Sequence, residues 1–171
     1  MSAAGQERDR AQRALDALAR RNATLVVAES CTAGRLAHRL SLGEGAARRL
    51  HGGFVVYTKT QKTVALAVPD EILRSHGAVS CAVAAAMAQG ALARSPADVA
   101  LAITGVAGPE PDEDGNPVGL VFIALARRRG APRVVRHMFA GLDRDAVECA
   151  AIDAALALLE AALAAPLARS A

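Results

Sequence analysis

Ala28-Glu29-Ser30-Cys31-Thr32-Ala33-Gly34 sets a carboxylate, two hydroxyls and a thiol between two different kinds of apolar pattern. Upstream, Thr24 to Val27 is a short β-branched run that reads as a buried strand over 24–28. Downstream, in Arg35 to Leu40, Leu36 and Leu40 recur at helical spacing. A strand passing through a polar turn into a helix is the repeating joint of α/β folds. In open sheets of that class, ligands bind where strands end and helix N-terminal amides can meet an anion. Ser, Thr and Glu are equally ordinary capping residues, so the stretch alone also fits a simple capped helix start.

Working outward, residues 6–21 alternate charges with Ala14, Leu15 and Leu18 as an amphipathic helix. Gly43 and Gly45 end the helix after Ser30, and Ala46 to Leu50 adds a short helical turn. Gly52-Gly53 opens a second strand, Phe54 to Thr58. Pro69 separates short helices at 59–67 and 70–75. Ser80 caps a long helix over 81–94. Asp98 to Thr104 is apolar without alternation, as expected of a strand covered on both faces. A glycine turn, Thr104 to Pro109, leads into an acidic Pro/Gly-rich loop from Glu110 to Pro117. Strands at 118–126 and 133–139 and a helix over about 143–163 complete the chain. The interleaving predicts an α/β fold, a three-layer α/β/α sandwich on a largely parallel or mixed sheet of about five to six strands.

The 171 residues predict a single domain, 1–171, with its core over about 8–163. Aromatic residues make up only 2% of the chain, which argues against a nucleic-acid surface built on stacking. The net charge of +3 is modest, and the dense basic run Arg127-Arg128-Arg129 reads as a solvated loop. Cys31, Cys81 and Cys149 are odd in number and lack metal-type spacing, and the four histidines are scattered. No metal, no cofactor and a reducing compartment are expected. Neither end reads as a signal peptide or membrane span, the apolar C-terminus being broken by Asp153, Glu160 and Pro166. The expectation is a cytoplasmic protein, with no membrane or nucleic-acid partner. Its Ala/Leu-rich last helix is suited to packing on a second subunit.

The most informative oddity is the lysines. Of 20 basic residues, 18 are arginine, and the two exceptions, Lys59 and Lys62, follow Tyr57, the only tyrosine. A desolvated lysine can lose its proton, whereas arginine effectively cannot, and Ser–Lys pairs are one known way to activate a nucleophile. The same two lysines fit an ordinary surface helix as well. Gly105 and Gly108 stand at a strand end like Ser30, and in a parallel arrangement both turns open on one sheet edge, where glycine amides can approach a ligand. Arg144, at the start of the last helix, has the chemistry to clamp a phosphate or carboxylate.

Taken in order, these motifs resemble one family, the C-terminal domain of the competence/damage-inducible CinA proteins, which includes stand-alone nicotinamide-nucleotide amidohydrolases. The matching segments are Ala28-Glu29-Ser30-Cys31-Thr32, Gly52-Gly53 with Val55-Val56-Tyr57, and Lys62 five residues after the tyrosine. His76-Gly77-Ala78-Val79-Ser80, Met87-Ala88, Gly90, Ile103 to Pro109, Pro117-Val118-Gly119 and Asp143-Arg144 continue it. The resemblance implies hydrolysis of the carboxamide of nicotinamide mononucleotide to nicotinate mononucleotide and ammonia, in pyridine-nucleotide recycling, by a metal-free Ser/Lys dyad. It makes Ser30 the nucleophile, Lys62 its base and Tyr57 an aid to proton transfer or a support for the lysine. Glu29, Thr32, Thr104, Gly105, Gly108 and Arg144 would bind a small pyridine nucleotide or its oxyanion, with Arg144 near the phosphate.

Four positions depart from the family pattern. Ala33 replaces a glycine, where its methyl opposes a positive φ. Ala47 stands where serine is common, Lys59 where asparagine is common, and Glu148 where arginine is usual. The loop 110–116 is unusually acidic, which opposes a phosphate if it folds over the site. These departures keep open an alternative, a nucleotide- or phosphate-binding member without turnover. A role in DNA uptake, which the family name evokes, is opposed by the sparse basic surface.

Overall fold

The computed structural model describes residues 3–164. The elements are α1 (Ala3–Arg20), β1 (Leu25–Glu29), α2 (Arg35–Ser41), α3 (Ala46–Arg49), β2 (Leu50–Val55), α4 (Lys59–Leu66), α5 (Asp70–His76), α6 (Cys81–Ala93), β3 (Val99–Gly105), β4 (Leu120–Arg127), β5 (Arg133–Met138) and α7 (Arg144–Ala164). The five strands form one sheet in the order β2-β1-β3-β4-β5. β1 runs parallel to both β2 and β3, whereas β4 and β5 are antiparallel additions. Helices cover both faces, so the fold is the expected three-layer sandwich on a mixed sheet.

Alternation along the central strands sorts side chains by size. Leu25 and Val27 of β1, Leu101 and Ile103 of β3, and Val121, Ile123 and Leu125 of β4 share a core with α1, α2 and α7. The opposite face offers small residues, Ala28, Ala100, Ala102, Ala124 and Ala126, to Ala84, Ala88 and Ala91 of α6. Small residues on both sides let α6 lie close to the sheet. α6 also packs tightly against the end of α4: a Cβ at Gly90 would fall 2.0 Å from the Leu66 carbonyl oxygen. All five β1 residues are buried, while β2 and β5, at the two edges, alternate. Coverage on both faces therefore holds for the central strands and fails at the edges.

Three strand boundaries differ from expectation: β2 ends at Val55 and not at Thr58, which instead caps α4. β2 begins at Leu50, so Gly52-Gly53 lies within the ladder, where Gly52 pairs with Val26 and Gly53 with Val27. Gly53 is needed there because a Cβ would sit 2.6 Å from Val27 Cγ2. β4 begins at Leu120, after Gly119 at φ +92°, a left-handed conformation far from that of a strand. The break expected at Pro166 lies outside the described residues. Among those described, no helix is long and apolar enough to cross a membrane.

The chain leaves β1 to build β2 on one side, then crosses to build β3 on the other. This reversal sets the C-terminal ends of β1 and β3 side by side at a topological switch point, where open α/β sheets hold ligands.

Candidate active site

Ser30 follows β1 directly, and its amide donates to the Ile103 carbonyl of β3 at 3.0 Å, which ties the turn to the neighbouring strand end. Lys62 lies one turn into α4, whose N-cap Thr58 accepts from the Gln61 amide. From there Lys62 reaches back beneath the sheet edge, almost fully buried. Its Nζ is 2.9 Å from Ser30 Oγ and 3.2 Å from the Val56 carbonyl. Both are neutral oxygens.

Burial pulls the Lys62 ammonium down to about 8, with a smaller push in the same direction from Lys59. Cys31, next to the serine, moves the opposite way: burial raises its thiol to about 12, so it stays protonated at neutral pH. A thiolate is the reactive form of cysteine, and this one is suppressed. Of the two adjacent nucleophile types, the serine alone has a base in reach.

Ser30, Lys62, Tyr57, Thr104, Gly105, Gly108 and Arg144 all line one cleft of about 360 Å³. Their roles within it are uneven. Tyr57 is exposed, and its hydroxyl accepts from Arg144 Nη2 at 3.0 Å, so the bond it makes is to the arginine and not to the lysine. Thr104 Oγ1 donates to the Ala78 carbonyl at 2.9 Å and fastens the loop before α6. Gly105 answers strand packing, since a Cβ would stand 2.7 Å from the Leu120 carbonyl. Gly108, at φ +97°, turns its carbonyl to accept from Arg144 Nη1 at 2.8 Å.

Glu29 and Thr32 lie behind the cleft. The buried Glu29 carboxylate accepts from the amides of Gly34, Leu36 and Ala37 at 3.1, 3.0 and 2.9 Å, and from Thr32 Oγ1 at 2.7 Å. The anion at the start of α2 is therefore the chain's own side chain, and these amides are not open to a ligand. Capping and catalysis divide the stretch between them: Glu29, braced by the Thr32 hydroxyl, holds the α2 amides, while Ser30 faces Lys62. Ala33 adopts φ +48°, the left-handed conformation that its methyl opposes.

Lys59 and Glu148 also find partners. Lys59 Nζ pairs with Glu113 and Asp114, each at 2.8 Å, and Asp114 also accepts from the Ala78 amide at 3.1 Å. The acidic loop does fold over the site, with Glu110, Asp112 and Glu113 lining the cleft, and Lys59 fastens it. Glu148 is buried between two arginines, accepting from Arg35 at 2.8 Å and from Arg144 Nε at 3.0 Å. The i,i+4 spacing of Arg144 and Glu148 on one helix was a readable signal for that pair. The Lys59 clasp spans 55 residues of chain and had none.

The chain matches the CinA C-terminal domain over residues 7–163. A competence-damage inducible protein of Symbiobacterium thermophilum is 50% identical over 111 residues, covering 65% of this chain and 26% of its own length. A CinA-like protein of a Geobacter species is 44% identical over 140 residues, covering 82% and 33%. The chain thus spans about a quarter to a third of the curated relatives it matches. In structure it is similar to the CinA superfamily protein of Klebsiella pneumoniae 700603, with TM-score 0.88, 39% identity, and 92% and 98% of the two chains covered. A mixed sheet layered between helices, with the strand-end turn of Ser30 meeting a buried lysine, is shared out along a sequence that belongs to the CinA C-terminal domain family.

Proposed function

We propose that this domain is an amidohydrolase that deamidates nicotinamide mononucleotide to nicotinate mononucleotide and ammonia, with Ser30 as nucleophile and Lys62 as its base. The observation that carries the reading is the 2.9 Å contact between Ser30 Oγ and a buried lysine that has only neutral oxygens as hydrogen-bond partners. A carboxylate beside Lys62 would hold it protonated; burial does the reverse. Uncharged Nζ takes the Ser30 proton as Oγ bonds to the carboxamide carbon, forming a tetrahedral oxyanion. The protonated lysine then gives that proton to the leaving nitrogen, and ammonia departs. Water, deprotonated by the same lysine, attacks the acyl-serine, and its proton returns to Ser30 as the acid is released.

The amides of Ala107 and Gly108 border the cleft without a backbone acceptor among the described residues, so they are available to the oxyanion. Arg144 is the cation suited to the substrate phosphate. The reading is tested by ammonia release from nicotinamide mononucleotide. Ser30→Ala and Lys62→Arg should each abolish it. Turnover that survives both changes overturns the dyad, and tight nucleotide binding with no turnover in the unaltered protein would mark a binding module instead.

A further inference from the structure

Among the described residues Arg144 is the only cleft cation besides the two lysines, and its guanidinium is held at all three nitrogens. Nε donates to Glu148 Oε1 at 3.0 Å, Nη1 to the Gly108 carbonyl at 2.8 Å, and Nη2 to Tyr57 Oη at 3.0 Å. An arginine carries five N–H donors, so one remains on each terminal nitrogen for an anion. Of the three holders, Glu148 alone is charged and buried, with 7% of its surface exposed. Its other oxygen accepts from Arg35 at 2.8 Å, and Arg35 also pairs with Asp145 at 2.7 Å. Arg35 is the first residue of α2, the helix that begins where the Ser30 turn ends.

We propose that Glu148 is a positioning residue: it aims Arg144 at the substrate's phosphate and, through Arg35, ties that anion clamp to the helix behind the nucleophile. The proposal rests on the amidase reading. All three bonds have an ionised donor, but the one to Glu148 alone has an ionised acceptor as well, so at 3.0 Å it holds the guanidinium more firmly than the neutral acceptors at 2.8 and 3.0 Å can. A competing effect has the opposite sign. A carboxylate 3.0 Å behind Arg144 also lowers the positive potential that a phosphate meets. The two effects separate experimentally, because loss of aim weakens phosphate recognition and loss of negative charge strengthens it.

The test compares ammonia release from nicotinamide mononucleotide with release from nicotinamide riboside, the same carboxamide without phosphate. Glu148→Ala should lower the ratio of the two kcat/KM values about ten-fold, through KM for the mononucleotide, as expected for one charged hydrogen bond to an aligned group. Glu148→Gln, which keeps one acceptor oxygen and the side-chain shape, should lose less and guards against a folding defect. In an Arg144→Ala background, Glu148→Ala should leave the ratio where Arg144→Ala alone put it, the non-additivity expected of a residue acting through another. An unchanged ratio, a ratio that rises, or an equal fall for both substrates overturns the proposal. If the unaltered protein releases no ammonia from either compound, the amidase reading fails by itself. Calorimetric titration with the mononucleotide then decides the role of Glu148: weaker binding by Glu148→Ala supports it and equal affinity overturns it.

Discussion

If Lys62 is the base, its protonation should govern the rate between pH 7 and 9. Burial brings it to about 8, against 10.5 for an unburied lysine. The uncharged fraction then grows from about one-tenth at pH 7 to about nine-tenths at pH 9, so kcat/KM for ammonia release should rise about ten-fold and level off above that. The same burial has a cost in stability. Below pH 8 the lysine is charged in both folded and unfolded chains, and the full penalty for burying that charge is felt. Between 8 and 10.5 the folded chain has released the proton while the unfolded chain still holds it, so stability rises with pH. At 1.36 kcal/mol per pH unit, the gain over that window is about 3 kcal/mol. Cys31 works against it above pH 9, because its folded-state thiol keeps a proton that the unfolded chain loses. The measurement is therefore a difference: urea unfolding of the unaltered protein and of Lys62→Met at several pH values, alongside the rate profile. Hydrogen bonds lost in the variant shift its stability at every pH and leave the pH-dependent part to the lysine. A rate that is flat from pH 7 to 9, or two proteins with the same pH dependence of stability, would refute the reasoning.

Three further outcomes follow from neighbouring contacts. Glu29→Ala strips three amides and a hydroxyl of a buried charged acceptor and should destabilise by about 3 kcal/mol or more in urea unfolding; a cost under about 1 kcal/mol contradicts the capping role. Ala33→Gly relieves a left-handed alanine at about 1–2 kcal/mol and gives back about 0.5–1 kcal/mol in unfolded-state freedom, so a net gain of up to about 1 kcal/mol is expected, and a clear loss counts against it. Lys59→Ala releases the acidic loop from its two ion pairs, and cleavage by a glutamate-specific protease after Glu113 should accelerate. Salt should speed that cleavage in the unaltered protein and not in the variant; equal rates in both would show that Lys59 does not hold the loop.

Much of the fold was readable because it depends on local pattern. The unbroken apolar runs of β1 and β3, the cap at Ser80 and the punctuation by glycine and proline each state a local preference that the tertiary structure kept. Strand edges were less readable. Gly52-Gly53 looks like a turn from its residues, yet both pair with β1: Gly52 takes φ +130° where the register shifts, a conformation glycine allows, and the approach of Val27 explains the missing side chain at Gly53. The pairing of Ser30 with Lys62 was visible as chemistry, from two lysines in an arginine-rich chain, but 32 residues of chain separate the partners and their distance is a property of the assembled sheet.

The polar contacts show the same division. Sequence could name Glu29, Thr32, Tyr57 and Arg144 as groups able to bind something. It could not say that Glu29 would be consumed by the amides of α2, or that Tyr57 would meet Arg144 and not Lys62. Residue types determine which bonds a side chain can make; the packing of α2, α4 and α7 around the ends of β1 and β3 decided which partner arrived. Burial follows the same rule. Lysine is able to work as a base because of its chemistry, and the closed layer around Nζ, assembled from distant parts of the chain, brings its proton within reach of neutral pH.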